Sequence, residues 1–396
     1  MTGMTRRARR MAGLAGGLAL LLAGCADYAL NPPPPEQIRA DAGRVVDARE
    51  ILALTASPES AASLRAGAEA EGFTFREQTA LSGLGLWMLR FDIPEPLDGP
   101  GAIAALERLE PGATAGVNHA YRLATDEGSD AARFAYADAL LDWPRGGCRA
   151  QGPVGMLDTG VERAAPGLAG ARIVTRGFAR GTPAATRHGT DVATLLADPR
   201  RLGGVTLYAA GVVSAETGDG EGAGGEAGVD SLIKGLDWLD SQGVRVVNVS
   251  LAGPYNKLLD RAVDRAQADG MVLVAAVGND GPGAAPRYPA ALGNVLGVTA
   301  VDARRHIYRK AVQGSYVDVA APGVDIHLPG PGGGHFVSGT SIAAPFVTAW
   351  VASDPALYSS SVSELRSALA QSTLDLGAPG PDAVFGAGLL HLGPGC

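Results

Sequence analysis

Two rhythms of apolar and polar positions divide the chain. Between 50 and about 122, short apolar runs alternate with alanine-rich stretches whose apolar residues recur at helical spacing. This pattern predicts a strand at 51–55, a helix at 58–71, strands at 73–79 and 84–91, a helix at 102–109 and a last strand at 114–121. The order is βαββαβ, a ferredoxin-like plan that many unrelated domains share and that fixes no function. From 152 onward the strands change character. Runs such as Val244-Arg245-Val246-Val247-Asn248-Val249 and Met271-Val272-Leu273-Val274-Ala275-Ala276-Val277 are apolar almost without interruption. Strands are expected near 154–157, 205–213, 244–251, 271–278, 294–301 and 316–320, and helices near 189–197, 229–241, 256–269, 340–353 and 361–372. Strands apolar on both faces belong in a parallel sheet with helices on both sides, so the fold class is α/β, preceded by a small α+β domain. Chemistry in such sheets gathers at the carboxyl ends of the strands.

The first 24 residues follow neither rhythm. Arg6, Arg7, Arg9 and Arg10 precede a 13-residue apolar run at 11–23, too short to span a bilayer, which reads as an export signal. The run ends in Leu22-Ala23-Gly24-Cys25, which resembles the lipobox of bacterial lipoproteins. The resemblance implies cleavage before Cys25, a diacylglycerol on its thiol, and anchoring of the chain to a lipid membrane through multiple acyl chains. Ala26 at the second mature position is similar to the outer-membrane sorting pattern. The expected location is therefore the bacterial cell envelope, facing the periplasm, on the outer membrane where there are two. Pro32 to Pro35 then stiffen a tether that spans 25–49.

Charge and composition remove several functional classes. The chain of 396 residues has 33 basic against 41 acidic residues, and without the four arginines of the signal 29 stand against 41. A basic face for nucleic acid is excluded on that balance. Gly 56 and Pro 26 show no triplet period, which rules out collagen, and 5% aromatic content rules out stacked aromatic platforms. Three cysteines without C-x-x-C spacing give neither a zinc nor a redox motif. With Cys25 acylated, Cys148 and Cys396 remain as an even pair in an oxidising compartment, and a disulfide between them is expected.

Four polar residues stand at strand ends or helix starts. Asp158 ends the strand 154–157, His188 opens the helix near 189–197, Asn279 follows the strand 271–278, and Ser341 begins an apolar helix. Each alone is an ordinary cap or turn residue. Together, Leu157-Asp158-Thr159-Gly160, His188-Gly189-Thr190, Gly278-Asn279 and Gly339-Thr340-Ser341-Ile342-Ala343-Ala344-Pro345 occur in the Asp…His…Asn…Ser order of the subtilisin-like serine peptidases, the subtilases. The resemblance covers 152–390 and includes Asn248-Val249-Ser250-Leu251-Ala252-Gly253, similar to the family's substrate-binding strand, and Ala321-Pro322-Gly323 ahead of the serine.

That resemblance implies a subtilisin-like catalytic domain at 151–396 and a serine endopeptidase acting on protein or peptide substrates. Ser341 would be the nucleophile, His188 its base, Asp158 the residue that orients the imidazole, and Asn279 a donor to the oxyanion. Ser250, Leu251 and Ala252 would bind substrate. The chemistry requires these types, because a serine hydroxyl is a weak nucleophile unless a base of near-neutral pKa takes its proton. The domain at 50–122 would be a propeptide whose end, near 117–121, enters the active site and is cut near Tyr121. A tethered regulatory domain is the alternative, since 123–150 forms a long linker. No metal or cofactor is implied beyond an optional structural calcium, for which Glu216, Asp219, Glu221 and Glu226 lack EF-hand spacing and read as a solvated loop. Arg287 falls near the family's primary specificity pocket, where a cation would favour acidic side chains, but the preferred reading is an arginine exposed at the rim. His119, His306, His327, His335 and His391 show no paired spacing. Rival readings are an envelope pseudopeptidase acting as a binding protein, although no triad member is missing, and an esterase, although the G-x-S-x-G elbow and the Ser…Asp…His order are absent.

Overall fold

The computed structural model describes residues 45–123, 136–199, 201–215, 225–330, 333–393 and 396. Cys25 and the tether up to residue 44 lie outside them, as do Glu216, Asp219 and Glu221. The first lobe contains β1 (Glu50–Thr55), α1 (Pro58–Ala70), β2 (Thr74–Leu81), β3 (Leu86–Asp92), α2 (Gly99–Leu109) and β4 (Thr114–Val117). The strands form an antiparallel sheet in the order β2-β3-β1-β4. Both helices begin where the sequence offers a cap and an early proline: Ser57 Oγ accepts the Ser60 N–H, and Asp98 Oδ1 the Gly101 N–H. All six residues of β1 are buried, and the alternation explains why. Ile51 and Ala53 face α1 and α2 in the lobe's own core, whereas Leu52 and Leu54 join a core shared with the second lobe.

The second lobe is built on a nine-stranded sheet. Its main elements are β6 (Val154–Asp158), β7 (Arg172–Gly177), α3 (Arg187–Ala197), β8 (Thr206–Gly211), β9 (Gly225–Gly228), α4 (Val229–Ser241), β10 (Val246–Val249), β11 (Leu251–Ala252), α5 (Lys257–Ala268), β12 (Val272–Ala276), β13 (Leu296–Val301), β14 (Val319–Pro322), α6 (Thr340–Ser353), α7 (Val362–Leu369), β15 (Thr373–Leu374) and β16 (Leu389–Leu390). The order across the sheet is β15-β16-β14-β13-β12-β10-β6-β8-β7, parallel except for the β15–β16 pair. One face packs on α3, α6 and α7, the other on α4 and α5. Every residue of α6 is buried, which fits a helix apolar on all sides. The central strands are covered on both faces, hence their unbroken apolar runs.

Four expectations change. The strand expected at 114–121 is two: β4 stays in the first lobe, Asn118 and His119 cross over, and β5 (Ala120–Leu123) joins the second lobe between β9 and β11. Apolar spacing gives a strand's existence but not its sheet. The expected linker is no free spacer over 136–149, where Ala137, Leu141, Trp143 and Cys148 enter the core of the second lobe and Trp143 Nε1 donates to the Arg201 carbonyl. Cys148 is bonded to Cys396, with Cα atoms 5.7 Å apart, so this strap is tied to the end of the chain. Glu226 belongs to β9 rather than to a solvated loop. Strand β7 was not expected at all: its Arg-Ile-Val-Thr-Arg sequence is that of a half-exposed edge strand, in which solvated side chains break the apolar run.

Candidate active site

Asp158 ends β6 at the carboxyl edge of the sheet, fully buried. Its Oδ1 accepts the Thr159 N–H and lies 2.6 Å from His188 Nδ1. His188 can come this close because Gly189 follows it. A Cβ on Gly189 would fall 2.6 Å from the carbonyl oxygens of both Thr159 and Gly160, while its N–H donates to Thr159 Oγ1 at 2.8 Å. The first turn of α3 thus rests on the turn after β6, and His188 Nε2 faces Ser341 Oγ at 3.2 Å.

Ser341 stands in the first turn of α6, buried, at the end of the helix where the dipole favours an anion. Asn279 faces the same helix start. Its Oδ1 accepts from both the N–H and the hydroxyl of Thr340, at 3.1 and 2.9 Å, which fixes the amide so that Nδ2 points away from that pair. Nδ2 is buried without a hydrogen-bond partner among the described residues. A buried donor without an acceptor is costly. The structure therefore brings Asp158, His188, Ser341 and Asn279 together, drawing on β6, α3, α6 and the loop after β12.

The three residues expected to bind substrate divide. Leu251 and Ala252 form β11, the edge along which β5 pairs: Leu123 lies opposite Leu251 and Arg122 opposite Ala252. On its other side β5 pairs with β9, Tyr121 opposite Ala227. Because both pairings are antiparallel, β5 runs toward the Ser250 end of β11. Ser250 itself is buried, and its hydroxyl donates to the Ser341 carbonyl at 3.0 Å. Its hydroxyl is therefore engaged by α6.

Tyr121 anchors β5. Its ring is fully buried over Gly253, where an added Cβ would come within 2.6 Å of it, and its hydroxyl donates to the Pro254 carbonyl at 2.9 Å. Burial, reinforced by Tyr288, Asp260 and Tyr255, raises its phenol well above the ordinary value, so the ring is held neutral. Arg287 does not present a free cation to a specificity pocket, since its Nε donates to Asp280 Oδ2 at 2.7 Å. Among the described residues no group of three His, Cys, Asp or Glu side chains is placed to hold a metal.

Sequence reading missed a second buried polar cluster, at the junction of the lobes. Glu50 in β1 takes a two-pronged contact from Arg180, at 2.7 and 2.9 Å, and Asn118 Nδ2 bridges Glu50 and Asp230 at 2.9 Å each. The available signal was an asparagine ending an apolar strand.

Comparison with known proteins agrees with this architecture. Residues 152–388 match the Subtilase family. Subtilisin DY of Bacillus licheniformis is 31% identical over 255 residues, 60% of this chain and 88% of that protein. Minor extracellular protease Epr of Bacillus subtilis is 33% identical over 219 residues, 52% of this chain but only 32% of that protein. Among solved structures, fervidolysin from Fervidobacterium pennivorans, a keratinolytic enzyme related to subtilisin, superposes with a TM-score of 0.65 at 20% identity. That fold likeness covers 88% of this chain and 60% of the other, so it reaches beyond residues 152–388.

Proposed function

Because the chain belongs to the subtilase family of serine-type endopeptidases, we propose that Ser341 is its nucleophile, served by His188 and Asp158, and that the first lobe holds the groove closed until it is cut. The observation that carries the reading is the unpartnered Asn279 Nδ2 beside the helix start that bears Ser341. Beside the nucleophile, such a donor is placed to receive a negative oxygen that forms there.

The steps follow from the geometry. His188 Nε2 takes the Ser341 proton as Oγ attacks the peptide carbonyl. Asp158 accepts the Nδ1–H, which holds the tautomer with a free Nε2 and stabilises the imidazolium without taking the proton. Asn279 Nδ2 and the Ser341 N–H receive the oxyanion. His188 then returns the proton to the leaving amine, an acyl group remains on Ser341, and water attacks it by the same route.

Substrate lies as a strand between β9 and β11, as β5 does. On this reading β5 is an intramolecular occupant of the groove, and the bond cut during activation lies beyond Leu123. Tyr121 is then an anchor of the occupant, a few residues before the bond cut, in keeping with the expectation of cleavage near Tyr121. The envelope location and lipid anchor rest on the Leu-Ala-Gly-Cys25 signal.

One experiment tests these points together. The exported full chain and its Ser341→Ala variant are exposed to a fluorophosphonate probe, and each is sized by intact mass. The expected result is labelling of the wild type only, a cut between 124 and 135, and a diacylglyceryl adduct on Cys25. Labelling without a cut would leave a peptidase with a retained regulatory lobe. Absence of label from folded wild-type protein, even after the first lobe is proteolysed, would move the reading to a binding protein.

A further inference from the structure

Pro345 sits inside α6, four residues after Ser341. A helix carbonyl ordinarily accepts the N–H four residues on, and proline has none, so the Ser341 carbonyl lacks that helical donor. The Ser250 hydroxyl supplies one from outside the helix, at 3.0 Å. Ser250 Oγ in turn accepts from Asn248 Nδ2 at 2.8 Å, and Asn248 Oδ1 accepts from Thr348 Oγ1 at 3.1 Å. Thr348 Oγ1 also lies 3.0 Å from the Ala344 carbonyl, the preceding turn of the same helix. Asn248, Ser250 and Thr348 are fully buried. The amide Nδ2 can only donate, so the single Ser250 proton is committed to the Ser341 carbonyl and the chain has one direction.

We propose that Ser250 is a positioning residue for the nucleophile: it replaces the hydrogen bond that Pro345 removes, and Asn248 and Thr348 hold it in place. The inference rests on the reading of Ser341 as the nucleophile. The chain ties α6 to the end of β10 on both sides of the proline, before it at Ser341 and after it at Thr348. The Ser341 carbonyl and Oγ hang from one residue, so a tilt of that carbonyl moves Oγ relative to His188 Nε2, 3.2 Å away. Small displacements of a reacting atom are costly, up to ~10²-fold in rate for about 1 Å.

The test is a double-mutant cycle in the full chain, left to process itself, read by the rate of fluorophosphonate labelling and by kcat and KM on a peptide substrate. Pro345→Ala restores an N–H four residues after Ser341, so it should make Ser250 less necessary. Ser250→Ala alone is expected to lower labelling and kcat by roughly tenfold or more, with KM within about twofold. In the Pro345→Ala background the same substitution is expected to cost less than about threefold. Equal losses in both backgrounds would overturn the proposal, and so would a rise in KM with kcat unchanged, which would mark a substrate contact. Should Ser250→Ala not fold, Thr348→Val carries the same cycle with the same two outcomes. A wild type that does not label at Ser341 would sink the nucleophile assignment and this inference with it. A wild type that labels, with equal losses, sinks the inference alone.

Discussion

Asn279 carries two hydrogen-bonding groups with opposite fates. Its Oδ1 is satisfied twice by Thr340, whereas its Nδ2 is buried without a partner among the described residues. Asn279→Ala should lower kcat by ~10²–10³-fold, the size known for this donor in subtilisin, with KM little changed. A loss seen in KM alone would remove the oxyanion role. His119 presents the reverse case, a buried base. Its Nδ1 lies 3.0 Å from Asn256 Nδ2, which can only donate, so the proton sits on Nε2, itself buried without a partner. Burial lowers its pKa from 6.5 to about 4. The unfolded histidine binds a proton at a pH where the folded one does not, so folded stability declines as pH falls from about 6.5 toward about 4. Thermal unfolding of the full chain should show this decline, and His119→Gln should flatten it; identical slopes would contradict the assignment.

At the scale of elements, α4 shows how closely a sequence pattern can mark a helix, since its expected span 229–241 is the observed one. Its spacing is regular, and Gly228 and Gly243 bracket it. What the pattern did not reveal is the electrostatics of its end. Asp237 and Asp240 occupy the last turns, where the helix dipole disfavours anions and no basic residue compensates. Asp237 is accounted for by the Leu84 N–H of the first lobe, which it accepts at 3.0 Å. Asp240 is lifted to about 6 by burial and then by Asp269 and Asp237. A carboxyl raised in the folded state costs stability where it is ionised, above about pH 6, and the cost disappears as pH falls toward 4. Asp240→Asn should therefore raise the melting temperature at pH 8 by about 2–4 °C and leave it nearly unchanged at pH 4. Equal gains at both values would point to another cause. The short elements β5, β9 and β11 were the least legible, because strands of two to four residues carry too few positions for a period and owe their existence to one another.

Across the whole molecule, the two lobes meet through β1, whose second face is completed by α4 and α5, and through Glu50. Glu50→Ala would deprive Arg180 of its paired contacts and Asn118 of one acceptor. Breaking a buried pair costs a few kcal/mol, reduced here because the Arg180 side chain is 33% exposed, so the expected penalty is about 2 kcal/mol. Hydrogen exchange at the β1 amides should then quicken by roughly tenfold or more. Unchanged exchange would show that the other contacts between the lobes hold them together without Glu50.

The α/β class and most of the long helices were legible in the sequence because they are local: continuous apolar runs require cover on both faces. Asp158, His188, Asn279 and Ser341 were legible only through their resemblance in order and motif to the subtilases, since each alone is an ordinary cap or turn residue. Tertiary structure alone decided that β5 leaves its own lobe for the groove of the other, that 136–149 packs as a strap rather than a linker, and that the Ser250 hydroxyl turns to the Ser341 carbonyl rather than to substrate. Each of these depends on partners more than fifty residues away along the chain. A period in the sequence states that a face will be buried; only the assembled fold states against what.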